Sequence, residues 1–383
     1  MRTIKDISDL IKPLDDVISN KFIPALFGTG ISASERELFA LPIKEGGLGL
    51  RIWNKQSDDS YHTSKNVTLP LQKQMVKQNT QLPLWEEVAK AKNIAINTMR
   101  DKIKSKTTTI TENQCTVMRR NLEQLSETGA SSWLSAIPLK DQGFNLNKSE
   151  FNDAMCLRYD KSLKGLPSKC PCSQSFSVTH AVNCHRGGFI NSRHDNIRNL
   201  EARLVKEVCN DVQIEPPLQP VGGHTFHRSA NVRDDARLDI QAKGFWREGQ
   251  NAFFGIRVTN PDCASQRNKS LKSVLRNHEQ EKKRCYNARV IEVEQGTLTP
   301  IVITVKGVMG PETNCYHKAL AEKISKKTGE RFSDITRLIR LKLSFLVLRA
   351  SLQCLRGSRT LYNHSEGETC EDFALTLNEV GLH

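Results

Sequence analysis

The chain lacks long apolar runs and is poor in aromatic residues, which make up 6% of its 383 residues. The longest unbroken apolar run, Phe345–Leu348, is far shorter than the roughly 20 residues that a membrane helix needs. The first residues, Met1–Asp6, contain no apolar core of a secretory signal. We therefore expect no membrane association, a reducing environment, and a nuclear or cytoplasmic location.

Acidic residues are also scarce relative to basic ones. Lys and Arg total 56 against 42 Asp and Glu, which gives a formal net charge of +14 and a pI of about 9.3. Such a surplus favours a polyanionic partner, because each neutralised phosphate releases counterions. DNA is the first candidate and RNA the second, and the alternative is a basic protein with no such partner. The oligomeric state does not follow from the sequence.

Cysteine is not scarce, but only three of the eleven lie close together around a histidine. Cys170, Cys172, His180 and Cys184 follow the pattern C-x-C-x7-H-x3-C. Three thiolates and one imidazole suit a closed tetrahedral site, so the pattern predicts structural Zn²⁺. The alternative is a set of ordinary buried cysteines. His185 or His194 could substitute for His180, although His194 fits the following Arg193–Asp195 motif better.

Apolar periodicity predicts an α+β or α/β fold, with a helical N-terminal part, a small zinc knuckle, and an α/β core. Polar composition favours a loop over 56–67, and Thr107–Thr111 is expected to end a helix. We predict helices over 84–104, 112–125, 149–159, 196–209, 276–290 and 333–355, and strands over 238–242, 252–259 and 298–306.

Two acids and one basic residue form a candidate catalytic set. A metal-dependent phosphodiesterase needs carboxylates that hold Mg²⁺, and a cation that stabilises the transition state. Such sites combine an acid on one strand with an acid-x-basic triplet on the next. Asp239 is the strand acid, Arg257 the basic member, and Glu201 on the preceding helix a second candidate Mg²⁺ ligand. The alternatives are a turn aspartate and a solvated helix acid.

The candidate nucleic-acid contacts lie on two helices. Lys283 and Tyr286 combine a cation with an aromatic hydroxyl, which suits a phosphate backbone or a stacked base. Arg193 and His194 follow the knuckle directly. The alternative for the first pair is the charged solvent face of an ordinary helix.

These motifs together resemble the C-terminal region of non-LTR retrotransposon polyproteins with a restriction-like endonuclease. The knuckle at 170–184, Arg193–Asp195 and Arg237–Asp239 carry the resemblance, and Phe22–Leu26 and Leu41–Gly49 are similar to the segment after the polymerase palm. The resemblance implies a PD-(D/E)XK nuclease that nicks target DNA with Mg²⁺. It also implies a helical region at 1–165, a knuckle at 166–190, a nuclease domain at 191–360, and a disordered tail at 361–383.

Two departures from that family weaken the prediction of catalysis. Gly255 stands where the family has an acid, which removes one hard oxygen ligand from a Mg²⁺ site. The chain also contains no Tyr-x-Asp-Asp polymerase signature. An endonuclease with an eroded site and a catalytically inactive nucleic-acid-binding remnant are therefore both open. A zinc-stabilised interaction module without a nucleic-acid role is the third reading.

Overall fold

The computed structural model describes residues 3–78, 83–223 and 225–358. The chain divides into two compact units, Met1–Ser126 with Met155–Ser162, and Glu127–Ala154 with Leu163–His383. The predicted disordered tail lies outside the described residues. No helix in the described ranges combines the length and apolar character that crossing a membrane requires.

The first unit is helical, as predicted for the N-terminal part. Phe27, Phe39 and Tyr159 form its aromatic centre, with ring centroids between 4.7 and 5.8 Å apart. A π-helix, Ile18–Phe22, connects the first two α-helices. The α-helices are α1 (Ser8–Val17), α2 (Ile23–Phe27), α3 (Ala33–Ala40), α4 (Trp53–Val76), α5 (Trp85–Glu112) and α6 (Thr116–Ser126).

The loop predicted over 56–67 is wrong, because this segment belongs to the long helix α4. The carboxylate of Asp15 accepts hydrogen bonds from the backbone N–H groups of Trp53 at 3.0 Å and Asn54 at 2.7 Å. A buried acid from another helix therefore supplies the N-terminal cap, a contact that local composition does not reveal.

The predicted break at Thr107–Thr111 is also wrong, since α5 continues to Glu112. The hydroxyls of Thr108 and Thr109 donate to the carbonyls of Lys104 and Ser105, at 3.1 and 3.2 Å. These bonds to residue i−4 satisfy the threonine side chains within the helix instead of ending it.

The second unit contains the four strands found in the described residues. A 3₁₀ turn, Ser132–Ser135, precedes the first of its helices, α7, whose last residues belong to the first unit. The elements are α7 (Lys148–Arg158), α8 (Val178–Ala181), α9 (Phe189–Lys206), β1 (Val212–Ile214), β2 (Ile240–Lys243), β3 (Asn251–Thr259), α10 (Leu271–Glu292), β4 (Thr297–Thr304), α11 (Pro311–Thr328) and α12 (Phe332–Arg356).

The strands form one mixed sheet in the order β1-β2-β3-β4. The first two pairings are antiparallel, and β3 and β4 run parallel, joined by α10. A parallel pair needs such a crossover, which explains why a 22-residue helix separates the two longest strands. Ile240 of β2 pairs with Phe254 of β3, the residue immediately before Gly255.

The sheet has a different helical cover on each face. Phe254 and Ile256 belong to the large core cluster that also contains residues of α9, α11 and α12. Because side chains alternate along a strand, Gly255 and Arg257 face the other side, where α10 packs. Candidate site residues on β3 therefore point toward α10.

The fold class is confirmed at the level of a mixed α+β architecture with a helical N-terminal part. Strand β1 and helix α11 are absent from the sequence prediction, and α9 begins at Phe189, seven residues before the predicted start. β1 has only three residues, and α11 carries polar residues on much of its length, so both signals are weak in the sequence.

Candidate metal and nucleic-acid sites

The four predicted knuckle ligands meet around one point. Cys170, Cys172, His180 and Cys184 each direct one ligand atom toward the others, and all four atoms lie within 4.8 Å of one another. Cys170 Sγ lies 3.7 Å from Cys184 Sγ, which lies 3.9 Å from Cys172 Sγ. Cys172 Sγ lies 3.4 Å from His180 Nε2.

These distances are the edges expected of a tetrahedral site. Zn–S bonds of about 2.3 Å give S···S edges of about 3.8 Å, and a Zn–N bond of about 2.0 Å gives a slightly shorter S···N edge. The donor set and its geometry could hold a metal such as zinc. Three thiolates and an imidazole fill all four positions, so the site fits a structural metal and leaves no open position for chemistry.

Local hydrogen bonds hold the knuckle in shape. The N–H of Cys170 donates to the carbonyl of Gln174 at 2.9 Å, and the N–H of Ser173 donates to the carbonyl of Cys170 at 2.8 Å. The Ser177 hydroxyl accepts from the backbone N–H of His180 at 3.1 Å and caps α8. The first two ligands thus lie on a tight turn and the third on a short helix.

The predicted acid Asp239 lies just before β2 and is paired with an imidazole and an ammonium group. His194 Nε2 is 3.2 Å from Oδ1, and Lys282 Nζ is 3.5 Å from Oδ2. Oδ2 also accepts a 2.6 Å hydrogen bond from the backbone N–H of Ile256. We call Asp239, His194 and Lys282 the Asp239 cluster.

The protonation of this cluster follows from its contacts. The hydrogen bond to Asp239 raises the pKa of His194 above its usual value, and this outweighs burial, which would lower it. Burial alone would raise the pKa of Asp239, but the His194 hydrogen bond and the charges of Lys282 and His194 lower it. These contacts favour the ionised carboxylate, whose charge is balanced by Lys282 and, below the raised pKa of His194, by the imidazolium as well.

Gly255 sits directly beside Lys282. A Cβ at position 255 would lie 3.3 Å from Lys282 Cδ and 3.6 Å from Lys282 Nζ. The space that a strand acid would enter is thus bordered by an ammonium group. Both Lys282 atoms lie in the outer part of a flexible side chain, and Leu238 Cδ2 at 3.6 Å is at an ordinary contact distance. A short side chain can therefore be accommodated at position 255 with a small shift.

Arg257, the predicted transition-state cation, is paired with an acid of α10. Its Nη1 lies 2.8 Å from Glu281 Oε2, and both side chains are more than one-third exposed. The ion pair lies at the β3 end nearest the start of α10. Lys282, rather than Arg257, is the cation in contact with the Asp239 carboxylate.

The structure does not bring Glu201 into the Asp239 cluster. Glu201 is fully buried, about 10 Å along the α9 axis from His194. Its Oε2 accepts from the Tyr316 hydroxyl at 3.1 Å, and its Oε1 lies 2.9 Å from His317 Nε2. Burial and the Glu201 charge raise the pKa of Tyr316. Both oxygens are committed to α11, so this acid supports packing and is not offered to a Mg²⁺ ion beside Asp239.

The predicted nucleic-acid residues occupy different environments. Arg193 is 4% exposed and donates to the carbonyl of Val182, so the expectation that it contacts nucleic acid needs correction. Lys283 forms a 2.5 Å ion pair with Glu312. Tyr286 lies near the Asp239 cluster: Lys282 Nζ is 5.7 Å from its ring centroid.

Lys282 is the residue that sequence reasoning undervalued in favour of Lys283. The positions of α10 that face the sheet recur every three or four residues, and this spacing places residue 282, not residue 283, on the face toward the sheet. Lys282 and Tyr286 are successive members of that series. Its members are Leu271, Leu275, His278, Lys282, Tyr286 and Arg289.

A second feature missed in the sequence is an anchored loop between β1 and β2. Arg289 is fully buried and donates to the carbonyls of Arg233 and Gln219, both at 2.7 Å. Asn231 Nδ2 donates to the Tyr286 hydroxyl at 3.1 Å. The parts of the loop around Gln219 and Asn231–Arg233 are therefore held against α10 beside the Asp239 cluster.

No protein-family model and no curated protein matches this chain.

Proposed function

We propose that this chain is a nucleic-acid-binding protein derived from the C-terminal region of a non-LTR retrotransposon polyprotein. Residues 191–360 would form a restriction-endonuclease-type domain that ancestrally nicked DNA with Mg²⁺, preceded by a structural zinc knuckle at 166–190. In the present chain the Asp239 cluster binds nucleic acid without supporting Mg²⁺-dependent cleavage.

One observation carries the proposal. Ile240 of β2 pairs with Phe254 of β3, so continuing this antiparallel register places Asp239 opposite Gly255. Arg257 lies two residues after Gly255 on the same face of β3. An acid on one strand and an acid-x-basic triplet on its neighbour would have this arrangement. The triplet here has its basic member and lacks its acid.

The charges of the cluster favour binding over cleavage. Mg²⁺ prefers several oxygen ligands, commonly more than one carboxylate with substrate oxygens. Asp239 offers one carboxylate, and Lys282 lies 3.5 Å from it, where its positive charge opposes a second cation. A single carboxylate that is already neutralised by His194 and Lys282 is a poor Mg²⁺ ligand.

The test of binding is a salt titration with a duplex oligonucleotide and a matched single-stranded RNA. We expect log K to fall linearly with log salt, since backbone contacts release counterions. Lys282→Gln and Lys283→Gln separate the two neighbouring lysines, and we expect the larger loss of affinity from Lys282→Gln. Weak binding that is insensitive to salt would favour an interaction module without a nucleic-acid role.

The test of ancestry is plasmid nicking in Mg²⁺ or Mn²⁺. We expect no nicking by the chain as it stands and a gain of nicking in Gly255→Asp. The double variant Gly255→Asp, Asp239→Ala should lose that gain, and Gly255→Asn is the matched control with nearly the same shape and no charge. If Gly255→Asp binds DNA but stays inert, the nuclease assignment of β3 fails.

A further inference from the structure

A buried arginine connects the knuckle to the Asp239 cluster. Arg193 lies in the second turn of α9 and is 4% exposed. Its Nη1 donates to the carbonyl of Val182 at 3.1 Å. Val182 lies between the metal-ligand candidates His180 and Cys184, so the guanidinium holds the stretch that supplies half of the ligand set.

Apolar packing reinforces the same connection. Val182 and Phe189 belong to one buried cluster with Val305 and Cys354, which ties the knuckle to the start of α9. The turn between them contains Gly187, with φ of 86°, where a Cβ would lie 2.7 Å from the Phe189 ring. The knuckle is therefore connected to α9 by a short, closely packed turn.

The residue after Arg193 completes the Asp239 cluster. His194 Nε2 lies 3.2 Å from Asp239 Oδ1. Successive helical residues point about 100° apart, so the same turn of α9 directs Arg193 to the knuckle and His194 to the sheet. The rotation and position of this turn determine both contacts together.

We propose that Arg193 is a positioning residue through which the metal-bound knuckle holds His194 on Asp239. The metal fixes the 180–184 segment, Arg193 transmits that position to the first turns of α9, and His194 is thereby kept within hydrogen-bond distance of the carboxylate. This inference concerns the same site as the proposed function and rests on it only for the effect on nucleic-acid binding.

The direct test reads the His194 ring by NMR and the amide exchange of residues 189–195. The samples are the zinc-loaded chain, the chain stripped of zinc, and zinc-loaded Arg193→Met and Arg193→Lys. We expect Arg193→Met to keep its zinc but to show the His194 ring signal of the stripped chain. Loss of a buried hydrogen bond from a charged donor should speed exchange there about tenfold or more.

Matched controls separate coupling from general damage. Arg203→Met makes the same change in the last turn of α9, where Arg203 Nε donates to the Asn199 carbonyl, and it should leave the His194 signal unchanged. Arg193→Lys restores a cationic donor and should recover part of the wild-type signal. Amides of β4 should keep their wild-type exchange in every sample.

Two results would overturn the inference: an unchanged His194 signal in zinc-loaded Arg193→Met, or an unchanged signal after zinc is stripped from the wild-type chain. The second measurement decides the matter if Arg193→Met does not fold. Absence of DNA binding by the wild-type chain would defeat the proposed function alone, because the His194 comparison does not use DNA.

Discussion

The knuckle and the Asp239 cluster are both candidate metal sites, and they differ in what surrounds the donor atoms. In the knuckle, four donors face one another at the edges of a tetrahedron. In the Asp239 cluster, one carboxylate faces an imidazole, an ammonium group and a backbone N–H. The first arrangement could hold a metal ion at its centre, whereas the second already contains the ammonium group of Lys282 and the imidazole of His194.

This difference teaches that a metal site is defined by unsatisfied donors and not by the presence of ligand-type residues. Glu201 is a second example of a ligand-type residue whose donor atoms are already satisfied. It is a buried acid near the predicted site, yet Tyr316 and His317 satisfy both of its oxygens. A buried carboxylate with complete hydrogen bonding stabilises packing and has little affinity left for a metal.

The largest expected effect comes from removing knuckle ligands. The double variant Cys170→Ser, Cys172→Ser should lose about one zinc per chain and much of the stability of its unit. The binding free energy of structural zinc is on the order of 10 kcal/mol, and it acts as folding free energy. Metal analysis and urea unfolding measure both quantities. Cys115→Ser, Cys315→Ser, at two exposed cysteines, is the control, and unchanged zinc in the knuckle variant would exclude the site.

The next largest effect should come from Glu201. In Glu201→Ala the Tyr316 hydroxyl and the His317 ring lose their buried partner, which costs about 3 kcal/mol. Glu201→Gln keeps one acceptor and should cost less. Chemical denaturation measures the loss, and no Mg²⁺ concentration should change it. If Mg²⁺ changed the difference in unfolding free energy between wild type and Glu201→Gln, Glu201 would be a Mg²⁺ ligand after all.

A smaller, pH-dependent effect should come from the Asp239–His194 pair. The pKa of His194 is raised from 6.5, so its contribution is complete below 6.5 and is lost as pH rises through the folded-state value. The pKa of Asp239 is lowered from 3.8, so its contribution is present above 3.8 and is lost as pH falls through the folded-state value. Stability from the pair is therefore greatest between pH 3.8 and 6.5, where both contributions are complete.

Asp239→Asn tests this window. The variant should be about 1 to 2 kcal/mol less stable near pH 6, and the difference from wild type should shrink as pH rises above the His194 transition. Unfolding free energies measured from pH 5 to 9 give the profile. A difference that does not depend on pH would mean that the pair contributes through packing alone.

The smallest effect should be Mg²⁺ stabilisation of Gly255→Asp. Binding at ten times Kd adds about 1.4 kcal/mol to stability, and wild type and Gly255→Asn should gain nothing measurable. Thermal unfolding with and without Mg²⁺ compares the three proteins. Equal stabilisation of all three proteins would mean that Mg²⁺ binds away from position 255. The missing acid would then not explain why the Asp239 cluster, unlike the knuckle, lacks the donors of a metal site.

Much of the fold was accessible from the sequence where apolar periodicity was strong. The strands over 252–259 and 298–306 and the helix over 333–355 agree with β3, β4 and α12 to within two residues. Predictions failed where a partner distant in the chain decided the structure. Asp15 caps α4 from another helix, and no local pattern around residues 56–67 indicates that contact.

The candidate sites divide in the same way. The knuckle ligands are neighbours in the chain, so their spacing alone predicted that they meet. Asp239, His194 and Lys282 come from a strand end and two separate helices, and only packing could show that Lys282 rather than Lys283 reaches the acid. Glu201 matched the expected residue type, but its direction on α9 depends on α11, which the sequence prediction lacked.

The sequence by itself determined the donor types, the basic charge surplus and the missing acid at position 255, because these are fixed by covalent structure. The tertiary structure alone decided which charges are already satisfied. Ion pairs and hydrogen bonds between distant segments satisfy the carboxylate oxygens of Asp239 and Glu201, whereas the knuckle donors converge on one another. A carboxylate binds a metal ion well only with oxygens that folding has left without protein partners, and that property arises when the chain packs.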